Sequence, residues 1–188
     1  MRIIAGLAKG RNLYSPSDGV RPTSDRAREA LFSTLDSEFG SMSDLHFLDL
    51  YCGSGAVSAE ALSRGAAFVQ AVDKDDRATT VARSNHEMLA MLPGIGSSSV
   101  ITMAVDRFLE RSAENKFDIV FMDPPYDLGA AEVIKTLESL SKNGFVKSGS
   151  VIAIERDSRS KGIDWPDGYV ALKERKYGAA TIYYAQAC

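Results

Sequence analysis

The segment Phe117-Asp118-Ile119-Val120-Phe121-Met122-Asp123-Pro124-Pro125-Tyr126 ends an apolar run on an acid, two prolines and a tyrosine. Adjacent prolines lack N–H groups, fix φ and bias the residues before them to extended geometry, so the carbonyls there have no local partners. An exocyclic amine carries two N–H donors, which the Asp123 carboxylate and the Pro124 carbonyl could accept together. Two such acceptors draw the nitrogen towards tetrahedral geometry and localise the lone pair that ring conjugation spreads. A poor nucleophile then becomes usable without a strong base. Tyr126 offers a flat face on which a base can stack, worth about 1–3 kcal/mol and orienting the amine. The competing reading is a proline turn that merely ends a strand.

A second segment, Phe47-Leu48-Asp49-Leu50-Tyr51-Cys52-Gly53-Ser54-Gly55-Ala56, runs from a strand-like stretch into closely spaced glycines. Gly53 and Gly55 allow a tight turn that brings a ligand to main-chain amides at a helix N-terminus. The third glycine of the dinucleotide pattern is missing, because Ser58 stands in its place. Asp49 would repel a pyrophosphate but attract the cationic amino group of a methionine moiety. That favours S-adenosylmethionine over NAD. The next strand-like stretch closes on Asp73, near the offset at which an acid accepts ribose hydroxyls, and it would serve either ligand. Taken singly, Asp49 reads as a turn-capping acid and Asp73 as a helix-capping one. Their combination points to a cofactor.

The elements that must hold these residues alternate in type. Strand-like and helix-like stretches follow one another as 46–51, 57–64, 68–73, 76–92, 100–103, 106–112, 117–122, 130–142 and 151–155. Repeated β-then-α order predicts a parallel sheet covered by helices. Residues 169–176 and 181–186 have no helix between them and read as an antiparallel hairpin through Gly178. Upstream, Ala27, Ala30, Leu31, Thr34 and Leu35 recur at helical spacing, with Ser24 or Thr23 as N-cap and Gly40 as the stop. Residues 2–5 and 12–15 read as a short hairpin around Gly6 and Gly10. The division is therefore an N-terminal β-hairpin arm over 1–22 and a main domain over 23–188.

A chain of 188 residues, 45% hydrophobic and 25% charged, fits one globular domain with a small appendage. It has neither a run long enough to span a membrane nor an apolar leader ahead of a cleavage site, so a cytoplasmic protein is expected. The net charge is −3, yet residues 1–28 carry +4 and the remainder −7. The local excess suggests a footprint for phosphates, although a solvated basic face explains the charge equally well. Cys52 and Cys188 make no disulfide framework, His46 and His86 have no metal-type partners, and no metal is expected. Asp118 reads as a strand-edge acid, and Trp165 as a loop plug.

These motifs resemble the class I methyltransferases, and specifically the bacterial family that methylates guanine N2 in 16S ribosomal RNA. The resemblance runs along nearly the whole chain. Its landmarks are residues 2–6, Lys9-Gly10-Arg11, the block Arg21-Pro22-Thr23-Ser24-Asp25-Arg26-Ala27-Arg28-Glu29-Ala30-Leu31-Phe32, the glycine turn and Asp123-Pro124-Pro125-Tyr126. It implies a Rossmann-like seven-stranded α/β sheet with helices on both faces, and S-adenosylmethionine as the methyl donor. It also implies ribosomal RNA or the small ribosomal subunit as partner; a monomer is expected. By position Asp49, Gly53, Gly55 and Asp73 would hold the donor, and Asp123, Pro124 and Tyr126 the target base. Thr23 and Arg28 would sit near donor or substrate, and Arg2, Lys9, Arg11 and Arg21 would hold RNA. Where such enzymes often carry an acid or amide for the adenine, this chain has Ala104; the Val105 amide or Asp106 would take that part.

Three other functions compete. A methyltransferase for DNA adenine N6 usually needs an added recognition domain, and one for protein glutamine resembles an Asn-Pro-Pro-Tyr pattern. A non-catalytic nucleotide- or RNA-binding module has no need of Asp-Pro-Pro-Tyr. An NAD-dependent oxidoreductase is opposed by the missing third glycine.

Overall fold

The computed structural model describes residues 1–15 and 25–188. The expectations for Arg21, for Thr23 and for Ser24 as a helix cap lie outside the described residues. Helix α1 (Asp25–Phe39) buries Ala27, Leu31, Phe32 and Leu35 along one face. It stops where Gly40 N–H bonds back to Asp36 O at 2.8 Å. The alternation that follows is β1 (His46–Leu50), α2 (Ala56–Ser63), β2 (Phe68–Asp73), α3 (Asp76–Ala90) and β3 (Ser97–Thr102). It continues through α4 (Val105–Leu109), β4 (Phe117–Met122), α5 (Ala130–Lys142) and β5 (Val146–Asp157) to β6 (Tyr169–Tyr177) and β7 (Ala180–Ala187).

The seven strands form one sheet in the order β3-β2-β1-β4-β5-β7-β6, in which β1 to β5 are parallel and β7 runs antiparallel between β5 and β6. Side chains alternate between the two faces, as strand geometry requires. Phe47, Ile119, Phe121, Val151 and Ile182 enter the core beneath α1, α2 and α3. Leu48, Val120, Met122, Ile152 and Ile154 enter the core beneath α4 and α5. Each face thus has its own apolar filling, and the strands between them are buried on both sides. This is the seven-stranded α/β sheet, ending in an antiparallel hairpin, that the resemblance implies.

Two strands begin several residues before the apolar pattern suggests. β3 begins at Ser97, because Ser97-Ser98-Ser99 pair with Phe68-Val69-Gln70 at the sheet's edge, where polar side chains stay near solvent. β5 begins at Val146, and its pairing with β4 shifts register between Phe117 and Ile119. The hydroxyl of buried Ser150 spans that irregularity, accepting from Lys147 N–H at 2.9 Å and donating to Phe117 O at 2.7 Å.

The first fifteen residues fold back on themselves through one antiparallel bridge, Arg2 to Asn12, with Ile3 N–H to Arg11 O and Gly10 N–H to Ile3 O both at 2.9 Å. Ile3, Ala8 and Leu13 are buried in the same core as α1, α2 and α3. The buried Glu60 carboxylate on α2 accepts the N–H groups of Ile4 and Ala5 at 2.8 and 2.9 Å. Ser63, three residues on, takes Ala8 N–H at 3.0 Å and donates to Ala5 O at 2.6 Å. Gly6 has φ +82°, and a Cβ there would lie 1.8 Å from Ser63 O, so no other residue fits this approach.

Candidate active site

The strand order turns back between β1 and β4, where open α/β sheets leave a crevice beyond the carboxyl ends of their strands. A cavity of about 890 Å³ lies there, within the usual span of small-molecule sites. The end of β1, the glycine turn and the end of β2 contribute Asp49, Gly53 and Asp73 to its wall, the start of α4 contributes Val105 and Asp106, and the segment after β4 contributes Asp123, Pro124 and Tyr126. Register explains the meeting: Leu50 pairs with Met122, and Asp123 N–H reaches Leu50 O at 3.4 Å.

Asp49 is buried and accepts Ser58 N–H at 3.0 Å. Burial pushes its carboxyl up to about 7, against the pull of the Ser58 bonds, and the nearby Asp123 and Asp73 charges push the same way. A desolvated, electron-rich wall of this kind suits a cation. Asp73 holds the turn in place, since one oxygen accepts Gly53 N–H at 2.9 Å and the other accepts Asp75 N–H at 3.0 Å. Val105 N–H is the first amide of α4, and an amide at that position has no acceptor within its helix. Asp106 accepts from Arg107 N–H at 2.8 Å.

Gly55 is not part of the wall. Its φ is +71°, and a Cβ there would sit 2.9 Å from Ala82 Cβ, so its contribution is to let α2 close on α3. Tyr51, by contrast, lines the cavity and carries a side chain at φ 60°, a conformation costing on the order of 1–3 kcal/mol that clusters at functional sites. Burial pushes its phenol up, and the Thr136 hydroxyl pulls it back. Sequence reasoning missed Tyr51, and it missed the α5 residues Lys135, Thr136 and Ser139 that close the wall. The α5 side chains occupy polar helix positions with no local mark of a site.

At the end of β4 the Pro125 carbonyl accepts Leu128 N–H at 2.9 Å. Among the described residues none donates to the Pro124 carbonyl. Tyr126 is 64% exposed beside the cavity, and Arg156 Nη2 fixes the following loop by donating to Leu128 O at 2.7 Å.

Arg28, expected beside donor or substrate, lies elsewhere. It is fully buried under the arm, with Nη2 donating to Arg2 O at 2.6 Å and Asp25 at 3.0 Å, and Nε 3.7 Å from Glu60. A desolvated guanidinium needs such carboxylates, and they hold it away from the cavity. Arg2, Lys9 and Arg11 are exposed on the arm.

Asp118 accepts His46 N–H at 2.9 Å and pairs with Lys147 at 2.6 Å, bracing the sheet at the end opposite the cavity. His86 is buried, with Nε2 3.0 Å from Ser58 Oγ, and burial pushes its imidazole down to about 4, so the ring is neutral. Burial and the neighbouring Asp49 and Asp73 raise the Cys52 thiol, which leaves it inert. Trp165 packs at 6.3 Å on Tyr169. Among the described residues no group of three or more His, Cys, Asp or Glu is arranged to hold a metal ion, and no helix is long and apolar enough to cross a membrane.

The chain resembles known proteins over its full length. It is 36% identical over 190 residues to ribosomal RNA small subunit methyltransferase D of Escherichia coli K12, covering 100% of this chain and 91% of that one. Its fold matches that of a hypothetical protein of Thermus thermophilus at TM-score 0.80 and 30% identity, covering 100% and 99% of the two chains. A less similar structure, magnesium protoporphyrin IX methyltransferase of Synechocystis with bound S-adenosylmethionine, matches at TM-score 0.66 and 13% identity, covering 87% and 79%. The model of the family described as Conserved hypothetical protein 95 matches residues 1–186. The chain therefore belongs to that family, the family of the ribosomal RNA small subunit methyltransferase D proteins.

Proposed function

We propose that the protein transfers a methyl group from S-adenosylmethionine to the exocyclic N2 amine of a guanine in small-subunit ribosomal RNA. The observation that carries this reading is the single cavity shared by Asp49, Gly53 and Asp73 with Asp123, Pro124 and Tyr126. A cavity with a buried acid at one strand end and an amine-accepting corner at the next suits two ligands side by side. The name of the Escherichia coli relative supports ribosomal RNA as the substrate class.

The wall fits the donor by its chemistry. Asp49 would take the cationic amino group, Asp73 the ribose hydroxyls, and Val105 N–H with Asp106 the adenine edge. S-adenosylmethionine would supply a methyl group activated by its sulfonium charge. Asp123 and the Pro124 carbonyl accept the two N–H groups of the target amine and localise its lone pair. Tyr126 stacks the base and fixes its plane. The proton that the nitrogen sheds on alkylation leaves along the Asp123 hydrogen bond. Most of the acceleration comes from holding the reacting groups in line, which alone can supply about 7–11 kcal/mol.

Residues 1–22 form the arm that holds RNA, through Arg2, Lys9, Arg11 and Arg21, and residues 23–188 form the methyltransferase domain, working as a cytoplasmic monomer. Labelled donor incubated with the protein and small-subunit particles lacking the modification should yield labelled N2-methylguanosine. Label on an adenosine, or on protein, would overturn the substrate assignment.

A further inference from the structure

One buried amide joins the arm to the cavity. Asn85, on α3, is fully buried, and its side chain bonds the backbone of two segments remote from it in sequence. Oδ1 accepts Tyr14 N–H at 2.8 Å, while Nδ2 donates to Tyr14 O at 3.1 Å and to Ser54 O at 3.0 Å. Tyr14 belongs to the arm, and Ser54 lies between the two glycines of the turn. Met1 and Ser15 line the same cavity as Asp49 and Asp73, so the arm is itself one wall of it.

Asparagine is a poor residue for an inward helix position, since it forms helices weakly and its amide is costly to bury unless satisfied. Here the amide is satisfied only while both segments are docked. If the arm lifts, Asn85 loses an acceptor and a donor at once, and the amide that fixes Ser54 is freed to turn away.

We propose that Asn85 is a positioning residue that makes docking of the arm and binding of the donor interdependent. The inference rests on the donor reading of the cavity. A ligand that needs the Ser54 turn and the arm wall in place favours the docked arm, and by linkage the docked arm raises affinity for that ligand by the same factor. An RNA held by Lys9 and Arg11 would thereby tighten the donor site without touching it.

The test uses the full chain with S-adenosylhomocysteine, reading amide hydrogen exchange in residues 1–15 and calorimetric affinity. In the wild type, saturating ligand should slow exchange at Ile3, Ile4, Ala5, Gly10, Leu13 and Tyr14 by about fivefold or more. In Asn85→Ala the ligand should still bind, more weakly by a similar factor, and slow those amides less than about twofold. The near-isosteric Asn85→Asp keeps the acceptor for Tyr14 N–H and, above the pH at which its carboxyl ionises, loses both donated bonds. It should also lose the coupling, and it carries the test if Asn85→Ala does not fold. Wild-type binding with unchanged arm exchange would overturn the inference, as would full coupling in a folded variant. Absence of any binding by the wild type would instead overturn the donor reading, and this inference with it.

Discussion

Replacing Asp49 by asparagine should change how stability depends on pH in a calculable way. The carboxyl has an ordinary value of 3.8 and is pushed up to about 7 in the folded, ligand-free protein. Between those values the native state holds a proton that the unfolded chain has released, so stability falls as pH rises through the window. Integrating that difference from pH 5 to pH 8 gives a loss of about 2.5 kcal/mol that Asp49→Asn should not show. For a chain of this size the loss corresponds to about 5–10 °C in Tm. Any constant cost of the amide against Ser58 cancels, because only the slope is compared. Thermal unfolding followed by circular dichroism at several pH values, in both proteins, measures it. Parallel profiles within about 0.5 kcal/mol would show that Asp49 is already ionised at pH 5 and would refute the argument from desolvation. The same ionisation governs the donor. If only charged Asp49 holds the methionine amino group, wild-type affinity should fall about tenfold per pH unit below 7, and Asp49→Asn should bind weakly with no such dependence.

Asp123→Ala should lower turnover by at least about a hundredfold while leaving donor affinity nearly intact, measured by steady-state kinetics and calorimetry. A mutant at the wild-type rate would remove the carboxylate from the reaction. Replacing Arg11 and Arg21 together should flatten the salt dependence of RNA binding, and an unchanged slope would return both to the solvated surface. Glu60→Ala should cost about 3–5 kcal/mol in denaturant unfolding, since it strips a buried carboxylate from Arg28 and from two arm amides. A loss below about 1 kcal/mol would mean that the arm is held by apolar packing alone.

Much of this architecture was legible because its signals are local. The β/α alternation, the turn at Gly53–Gly55 and the Asp-Pro-Pro-Tyr end of β4 each declare themselves within ten residues. The strands at 68–73 and 117–122 and the helix at 130–142 stand where the apolar pattern put them. The remainder depends on partners far away in the chain. The polar start of β3 is a strand only because Phe68–Gln70 pair with it, and the start of β5 is hidden by a register shift. Arg28 looked like a ligand-binding cation and is instead paired with Asp25, one helical turn back, and with Glu60, thirty-two residues later, and only the first of these pairings could be read from periodicity. Asn85 did leave a trace, since it occupies a position in step with Ala78, Ala82 and Leu89 on the buried face of α3, where an amide is out of character.

The arm's dependence on Glu60, Ser63 and Asn85 has a consequence for biosynthesis. Its polar contacts with these three residues span 55 to 71 residues of sequence, so the core that covers Ile3, Ala8 and Leu13 is complete only when α2 and α3 have emerged and packed with α1. At roughly 5–20 residues per second, the ribosome leaves that greasy stretch naked for several seconds. Any slowing of translation across residues 60–86 should lengthen the interval and expose the growing polypeptide to chaperones or to aggregation.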